Sequence, residues 1–168
     1  IKNELRKIKK EYDVPRKTEI NFFEEEIKID NTMMIAKEDV IVLVTKDGYV
    51  KRTSKRSYLA NCDEPLLKEN DYVLGLYELS TLDTILLFTN LGNYLYLPVH
   101  EIPDIKWKVL GKHISNIIKI DEMEEIVGVL PIKDFSIDKD VIISSRDGMI
   151  KKTKLSEFKV NRYTKAIN

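Results

Sequence analysis

Three times along this chain an apolar run leads into a glycine turn and out into a second run. The first copy is Val40 to Val44, a turn at Asp47-Gly48, then Tyr49 to Thr53. The second runs Thr84 to Thr89, Leu91-Gly92, then Asn93 to Leu97. The third runs Val141 to Ser144, Asp147-Gly148, then Met149 to Thr153. The runs are short and rich in Val, Ile and Leu. Branched side chains are stiff and pack well on a pleated surface, so these are strands, not helices. Asp-Gly between two such runs is a strong hairpin signal and predicts a type I′ turn. Leu91-Gly92 keeps only the glycine, which leaves that hairpin free to use another turn type. The turn glycines lie 44 and then 56 residues apart. Recurrence at that spacing is the mark of a blade or repeat architecture.

A further strand precedes the second and the third hairpin. Val73-Leu74-Gly75-Leu76-Tyr77 and Ile126-Val127-Gly128-Val129-Leu130 both carry a glycine at their centre. Glycine inside a strand marks a bulge or a close backbone approach. The first 13 residues follow a different rhythm. Ile1, Leu5, Ile8 and Tyr12 recur at helical spacing, and Pro15 ends the pattern. A helix this short is marginal in water unless it packs on something. Arg16 to about Asn21 reads as a linker, and Glu26 to Asp30 alternates like a strand.

The chain has 168 residues with 43% apolar, enough for one ordinary core, and five Pro and six Gly argue against low complexity. No apolar run approaches the roughly 18 residues of a membrane span. There is no signal-peptide pattern and no Met at position 1, and the chain reads as a piece of a longer one. Cys62 cannot form an internal disulfide and has no metal-spaced neighbour, so neither a disulfide scaffold nor a zinc site is expected. His100 and His113 lack a nucleophile nearby in sequence and read as surface or blade-edge residues. Trp107, in the connection from Pro98 to Gly111, reads as a packing residue. The segment Gly111 to Ser115 aligns with Thr164 to Asn168, as if both closed a repeat.

Net charge is zero, yet the charge is segregated. Lys2, Arg6, Lys7, Lys9, Lys10, Arg16 and Lys17 crowd the start, and Glu24 to Glu26 follow. Asp121 to Glu125 form a second acidic knot. Basic residues otherwise gather around the hairpins. DNA carries one phosphate charge per ~1.7 Å, so a row of Lys and Arg on repeated hairpins can hold and bend it without reading bases. The candidates are Lys46, Lys51, Arg52, Lys55 and Arg56 at the first hairpin. At the third they are Arg146, Lys151, Lys152, Lys154, Arg162 and Lys165. The second hairpin has Leu95 and Tyr96 where the first has Lys51 and Arg52, so its contacts would fall to Lys106, Lys108 and Lys112. Side chains alternate along a strand, so Lys51 and Arg52 face opposite ways and one of each such pair is expected to touch the same DNA.

Several segments resemble the C-terminal domain of the DNA-cleaving chain of bacterial type IIA topoisomerases, gyrase and topoisomerase IV. They are Asp47 to Thr53, Leu97 to Pro103 and Asp147 to Phe158, and together they are specific. Glu4 to Tyr12 and Arg16 to Ile20 resemble the exit from that chain's cleavage core. The resemblance implies an all-β, partial β-pinwheel, propeller-like with about three blades and a short N-terminal helix. It implies a helix end and linker over 1–20 and an incomplete pinwheel over 21–168, with blades near 21–70, 71–120 and 121–168. Strands are exchanged between neighbouring blades in this fold, and an incomplete disc is expected to leave a pairing edge that favours self-association.

The gyrase branch carries a glutamine-arginine-arginine-glycine-glycine box after its first basic hairpin. Ser57 to Pro65 hold neither the Arg pair nor the Gly pair, which points to the topoisomerase IV branch. The function implied is guiding and bending duplex DNA for relaxation and decatenation during chromosome segregation. Gyrase-type DNA wrapping and a protein-interaction scaffold, to which the acidic knots would suit, are the alternatives. The ATP-hydrolysing holoenzyme would supply the catalytic tyrosine, ATP and Mg, in an A2B2 assembly with the B chain of topoisomerase IV. No catalytic, cofactor or metal residue is expected in this chain. The location implied is cytoplasmic and nucleoid-associated, with peripheral contact to the inner membrane face left open.

Overall fold

The computed structural model describes residues 1–14, 17–18, 34–60, 64–121 and 123–167. Two units divide the chain, 1–30 and 31–168. In the first, helix α1 spans Lys2–Tyr12 as the apolar spacing predicts, and Ile1, Leu5, Ile8 and Tyr12 are all exposed. The strand predicted over Glu26 to Asp30, and Cys62, lie outside the described residues.

The second unit is built from the three hairpins. Strands β1 (Asp39–Thr45) and β2 (Tyr49–Ser54) form the first. A short helix α2 (Lys55–Leu59) follows, and β3 (Val73–Ser80) comes next. The second hairpin is β4 (Thr84–Thr89) and β5 (Tyr94–Pro98). After it come β6 (Lys112–His113) and β7 (Ile126–Ile132). The third hairpin is β8 (Asp140–Ser144) and β9 (Ile150–Lys154).

The turns correct one expectation. Gly48, Gly92 and Gly148 hold φ of +83°, +83° and +79°, while the residue before each does not enter positive φ. In each, the glycine N–H donates to the carbonyl three residues back, on Thr45, Thr89 and Ser145, at 3.1 Å. This is a turn closed by a left-handed glycine, not a two-residue type I′ turn, which needs positive φ at both positions. It explains why Leu91 serves as well as Asp47 or Asp147: only the glycine is constrained.

The sheets exchange strands, as the resemblance implies. The first has the order β3-β1-β2-β6, the second β5-β4-β7, and the third is the pair β8-β9. The first hairpin is therefore flanked by the strands that precede and follow the second hairpin. The second hairpin gains β7 on one side and an antiparallel bridge from Tyr94 to Ile167 on the other. Gly75 and Gly128 sit beside matching register shifts, at Val44/Thr45 and Phe88/Thr89, so both central glycines do mark bulges.

Alternation along the strands sets the layers. Val40, Val42, Val44 and Val50 on one sheet meet Ile85, Leu87, Leu95 and Leu97 on the next, forming the main core. The far side of the second sheet packs Leu86 and Tyr96 against Leu155 and Phe158. The opposite face of the first sheet, Ile41 and Leu43, is covered by Trp107 with Tyr58 and Leu67. Strand register brings one further difference. Val50 pairs with Lys112 and its counterpart Tyr94 with Ile167, so Ile167, not Lys165, occupies the position of Lys112.

Candidate nucleic-acid interface

The interface is organised by one strand, β2. Its alternation sends Lys51 and Arg52 to opposite faces, as the sequence requires. Lys51 is 1% exposed. Its Nζ donates to the carbonyls of Trp107 at 2.6 Å and Val109 at 2.8 Å. It also lies 5.0 Å from the centre of the Trp107 ring. An ammonium has three donors. Two carbonyls and a ring face account for them, which is how a charge survives burial. Burial pushes the Lys51 pKa below its ordinary value. Lys51 was expected to meet phosphate; in the structure it is enclosed and its donors are engaged, so it does not present its charge to a ligand.

Residues 103–113 form a strap along the outer edge of β2. The Arg52 N–H donates to Pro103 O at 3.1 Å, and the Ile105 N–H donates to Arg52 O at 2.9 Å. Further on, Lys112 and His113 pair with Val50 and Tyr49, and the Ile114 N–H donates to Gly48 O at 2.8 Å. The close approach has a sequence cause. A Cβ on Gly111 would stand 2.8 Å from Val50 O. The strap follows the second hairpin in sequence, but its bonds are to the first. Its lysines, Lys106, Lys108 and Lys112, are exposed. They therefore join the first hairpin, although their place in sequence suggests the second.

Helix α2 brings a second basic segment to the strap. The Ser54 side chain accepts the Ser57 N–H at 3.2 Å and caps the helix start. The Tyr58 ring meets Trp107 edge-on at 4.8 Å. The contact brings α2, with exposed Lys55 and Arg56, against the strap that carries the exposed lysines, whereas the half-buried Arg52 side chain leaves β2 on the opposite face, the side of Val42 and Val50. Lys55 pairs with Glu78 at 2.5 Å, and that contact raises its pKa. Tyr58 was missed in the sequence; an aromatic shortly after a basic pair was its only signal.

The remaining candidates lie elsewhere. Lys46 is half-buried, and its Nζ donates to Ile126 O at 2.9 Å and to Glu125 at 3.1 Å. It ties the first turn to the start of β7. Arg146, Lys151, Lys152 and Lys154 are exposed on the third hairpin, with Lys152 paired to Asp140 at 2.8 Å. Exposed pairs of this kind contribute little to stability and leave the cations able to change partners. Arg162 and Lys165 are exposed, and Lys165 forms a parallel bridge with Lys119 through the backbone. On the second hairpin Leu95 and Tyr96 are buried, so it offers no basic pair there.

Of the acidic residues described in the knot, Glu124 turns inward while Asp121 and Glu125 are exposed. Glu124 is buried and accepts the Thr89 hydroxyl and the Asn93 amide. Glu125 pairs with Lys46. Among the described residues no group of three or more His, Cys, Asp or Glu is placed to hold a metal ion. No described helix is long and apolar enough to cross a membrane.

The chain is similar to known proteins in sequence and in fold. A family model described as DNA gyrase C-terminal domain, beta-propeller, matches residues 39–59, 83–133 and 139–168. The chain is 47% identical over 168 residues to the A chain of DNA topoisomerase 4 from Bacillus subtilis (strain 168), covering 99% of this chain and 21% of that protein. It is 46% identical to the protein of the same name from Staphylococcus epidermidis, with the same coverage. The chain thus spans about a fifth of the length of these relatives. A solved C-terminal domain of DNA topoisomerase IV matches with a TM-score of 0.76 and 56% identity, covering 80% of this chain and 42% of the other. The DNA gyrase A C-terminal domain matches in fold, with a TM-score of 0.56 at 24% identity, covering 72% and 41%.

Proposed function

The chain belongs to the DNA gyrase C-terminal domain family of β-propellers, and from that premise we propose that it binds duplex DNA through its phosphates and bends it. The observation that carries this reading is the Tyr58–Trp107 contact at 4.8 Å. It brings together two basic segments that are distant in sequence, Lys55-Arg56 on α2 and the strap over 106–112. Cations gathered on a folded surface bind DNA by displacing its counterions, without reading bases.

The whole protein of which such a domain forms part would act within topoisomerase IV, guiding DNA for relaxation and decatenation. Similarity to the topoisomerase 4 proteins supports this. So does the absence of Arg and Gly pairs from 57–65. On this reading residues 1–20 link to a cleavage core and 21–168 belong to the pinwheel. The catalytic tyrosine, ATP and Mg would belong to the rest of an assembly with a second kind of chain, working in the cytoplasm at the nucleoid. A scaffold role loses Glu124, which is enclosed, but keeps the exposed Asp121 and Glu125. Self-association would use the β8-β9 pair, where Ile142, Met149 and Ile150 are exposed, and sedimentation reads it.

The test is salt-titrated anisotropy with a labelled duplex. Reversals at Arg56, Lys106, Lys108 and Lys112 should weaken binding to unrelated sequences alike. Each should flatten the salt dependence by about 0.9 in log–log slope per lost phosphate contact. Unchanged affinity and slope across all four would reject the interface.

A further inference from the structure

Lys51 stands where the second hairpin has Leu95 and the third has Lys151. Leu95 is buried under the first sheet, within the main core, and Lys151 is exposed. Lys51 alone of the three combines a charge with full burial. The face it occupies is covered by the strap, and Trp107 packs there on Ile41 and Leu43. The backbone bonds from β2 reach the strap near its ends, at 103–105 and 112–113. Between those bonds the strap is held on the Trp107 and Val109 carbonyls, and Lys51 is their donor.

We propose that Lys51 is a positioning residue: it pins the middle of the strap to β2 and so sets where Lys106, Lys108 and Lys112 stand. Its effect on DNA rests on the binding function proposed above; the pin itself does not. A basic strap pinned at one buried ammonium presents its lysines in a fixed spacing. Without the pin, two carbonyls lose their donor, and the segment between the backbone bonds is free to rearrange. Ordered cations then become disordered ones, which lowers affinity by the entropy of reordering them on phosphate.

Trp107 is the single tryptophan of the chain, so its emission reports on the strap directly. In the full chain, Lys51→Met keeps the length and apolar stem and removes the ammonium. The variant should retain its strand circular dichroism while Trp107 emission shifts to the red and acrylamide quenches it more readily. The DNA salt slope should fall by up to about 0.9 for each of the three strap lysines. A folded Lys51→Met with Trp107 emission and quenching unchanged overturns the pin. If the unaltered chain fails to bind DNA, the functional reading falls, and the tryptophan result still decides the pin. Where Lys51→Met does not fold, nitrogen-detected NMR of the unaltered chain decides. Slow exchange of the Lys51 ammonium with water, with ring-current shifts on its ε-methylene, supports the pin. Exchange as fast as that of exposed lysines overturns it.

Discussion

Glu124 accepts the Thr89 hydroxyl at 2.7 Å, across 35 residues of sequence. The same carboxylate accepts the Asn93 side-chain amide at 2.9 Å and the Asp121 N–H at 3.4 Å. Around it, Asn90 donates to Met123 O and accepts the Glu125 N–H. The acidic knot thereby clamps the second hairpin turn. Asp71 does the corresponding job at the first turn, where its Oδ1 accepts the Asp47 N–H at 3.0 Å. Removing one partner of a buried charged hydrogen bond costs about 1–3 kcal/mol. Glu124→Ala should therefore lower the urea midpoint by an amount in that range. A double-mutant cycle with Thr89→Val should show coupling of at least about 0.5 kcal/mol. Additive effects would mean that the clamp is not cooperative.

The Tyr163 hydroxyl donates to Glu101 at 2.8 Å, and its ring lies 5.5 Å from that of Tyr96. Burial first, and then the bond and charge of Glu101, push its pKa up to about 12. The folded protein holds this proton more tightly than the unfolded chain, whose tyrosine titrates near pH 10. The stabilisation is therefore complete below about pH 10 and is lost as the pH rises toward 12. Tyrosinate absorbance should show a tyrosine ionising at about 12 that disappears in Tyr163→Phe, while Tyr94, whose pKa burial also raises, still ionises late. That variant should also lose less stability than the parent between pH 10 and 12.

Leu87 is fully buried between the first and second sheets. Leu87→Ala should cost about 2–5 kcal/mol, since the two sheets cannot both close on the cavity. Ile142, on the outward face of the third hairpin, is 68% exposed. Ile142→Ala should fall within about 0.5 kcal/mol of the parent. Chemical denaturation of the two variants checks the layer order directly.

Gly111 and Gly92 make a contrasting pair. A Cβ at Gly111 would press on the Val50 backbone at 2.8 Å, and backbone cannot swing aside. A Cβ at Gly92 meets nothing within 4 Å, but the φ of +83° is strained for any L side chain. Gly92→Ala should cost about 1–2 kcal/mol through the left-handed conformation alone. Gly111→Ala should cost about 1–3 kcal/mol through overpacking, and it should also expose Trp107 to acrylamide. Equal quenching in both variants would argue against the strap contact.

The hairpins, the bulges beside Gly75 and Gly128 and the first helix were legible because each depends on residues close together in sequence. Alternation also told correctly that Lys51 and Arg52 part company. The turn type was misread because Asp-Gly fits two hairpin loops, and only the register of the flanking strands separates them. The basic residues were identified by type, but their grouping was not. Lys106, Lys108 and Lys112 follow the second hairpin and lie against the first. Position in sequence cannot show that when strands are exchanged between sheets.

Sequence by itself determined the repeat, the all-β character and the glycine at each turn, because short-range sterics and strand period act within a few residues. Tertiary structure decided what each charge does. Lys51 and Arg52 are neighbours with the same sign, yet one is sealed beneath Trp107 and the other lies at a half-open edge. Desolvation and the supply of carbonyl partners make that difference, and both come from a segment more than 50 residues away.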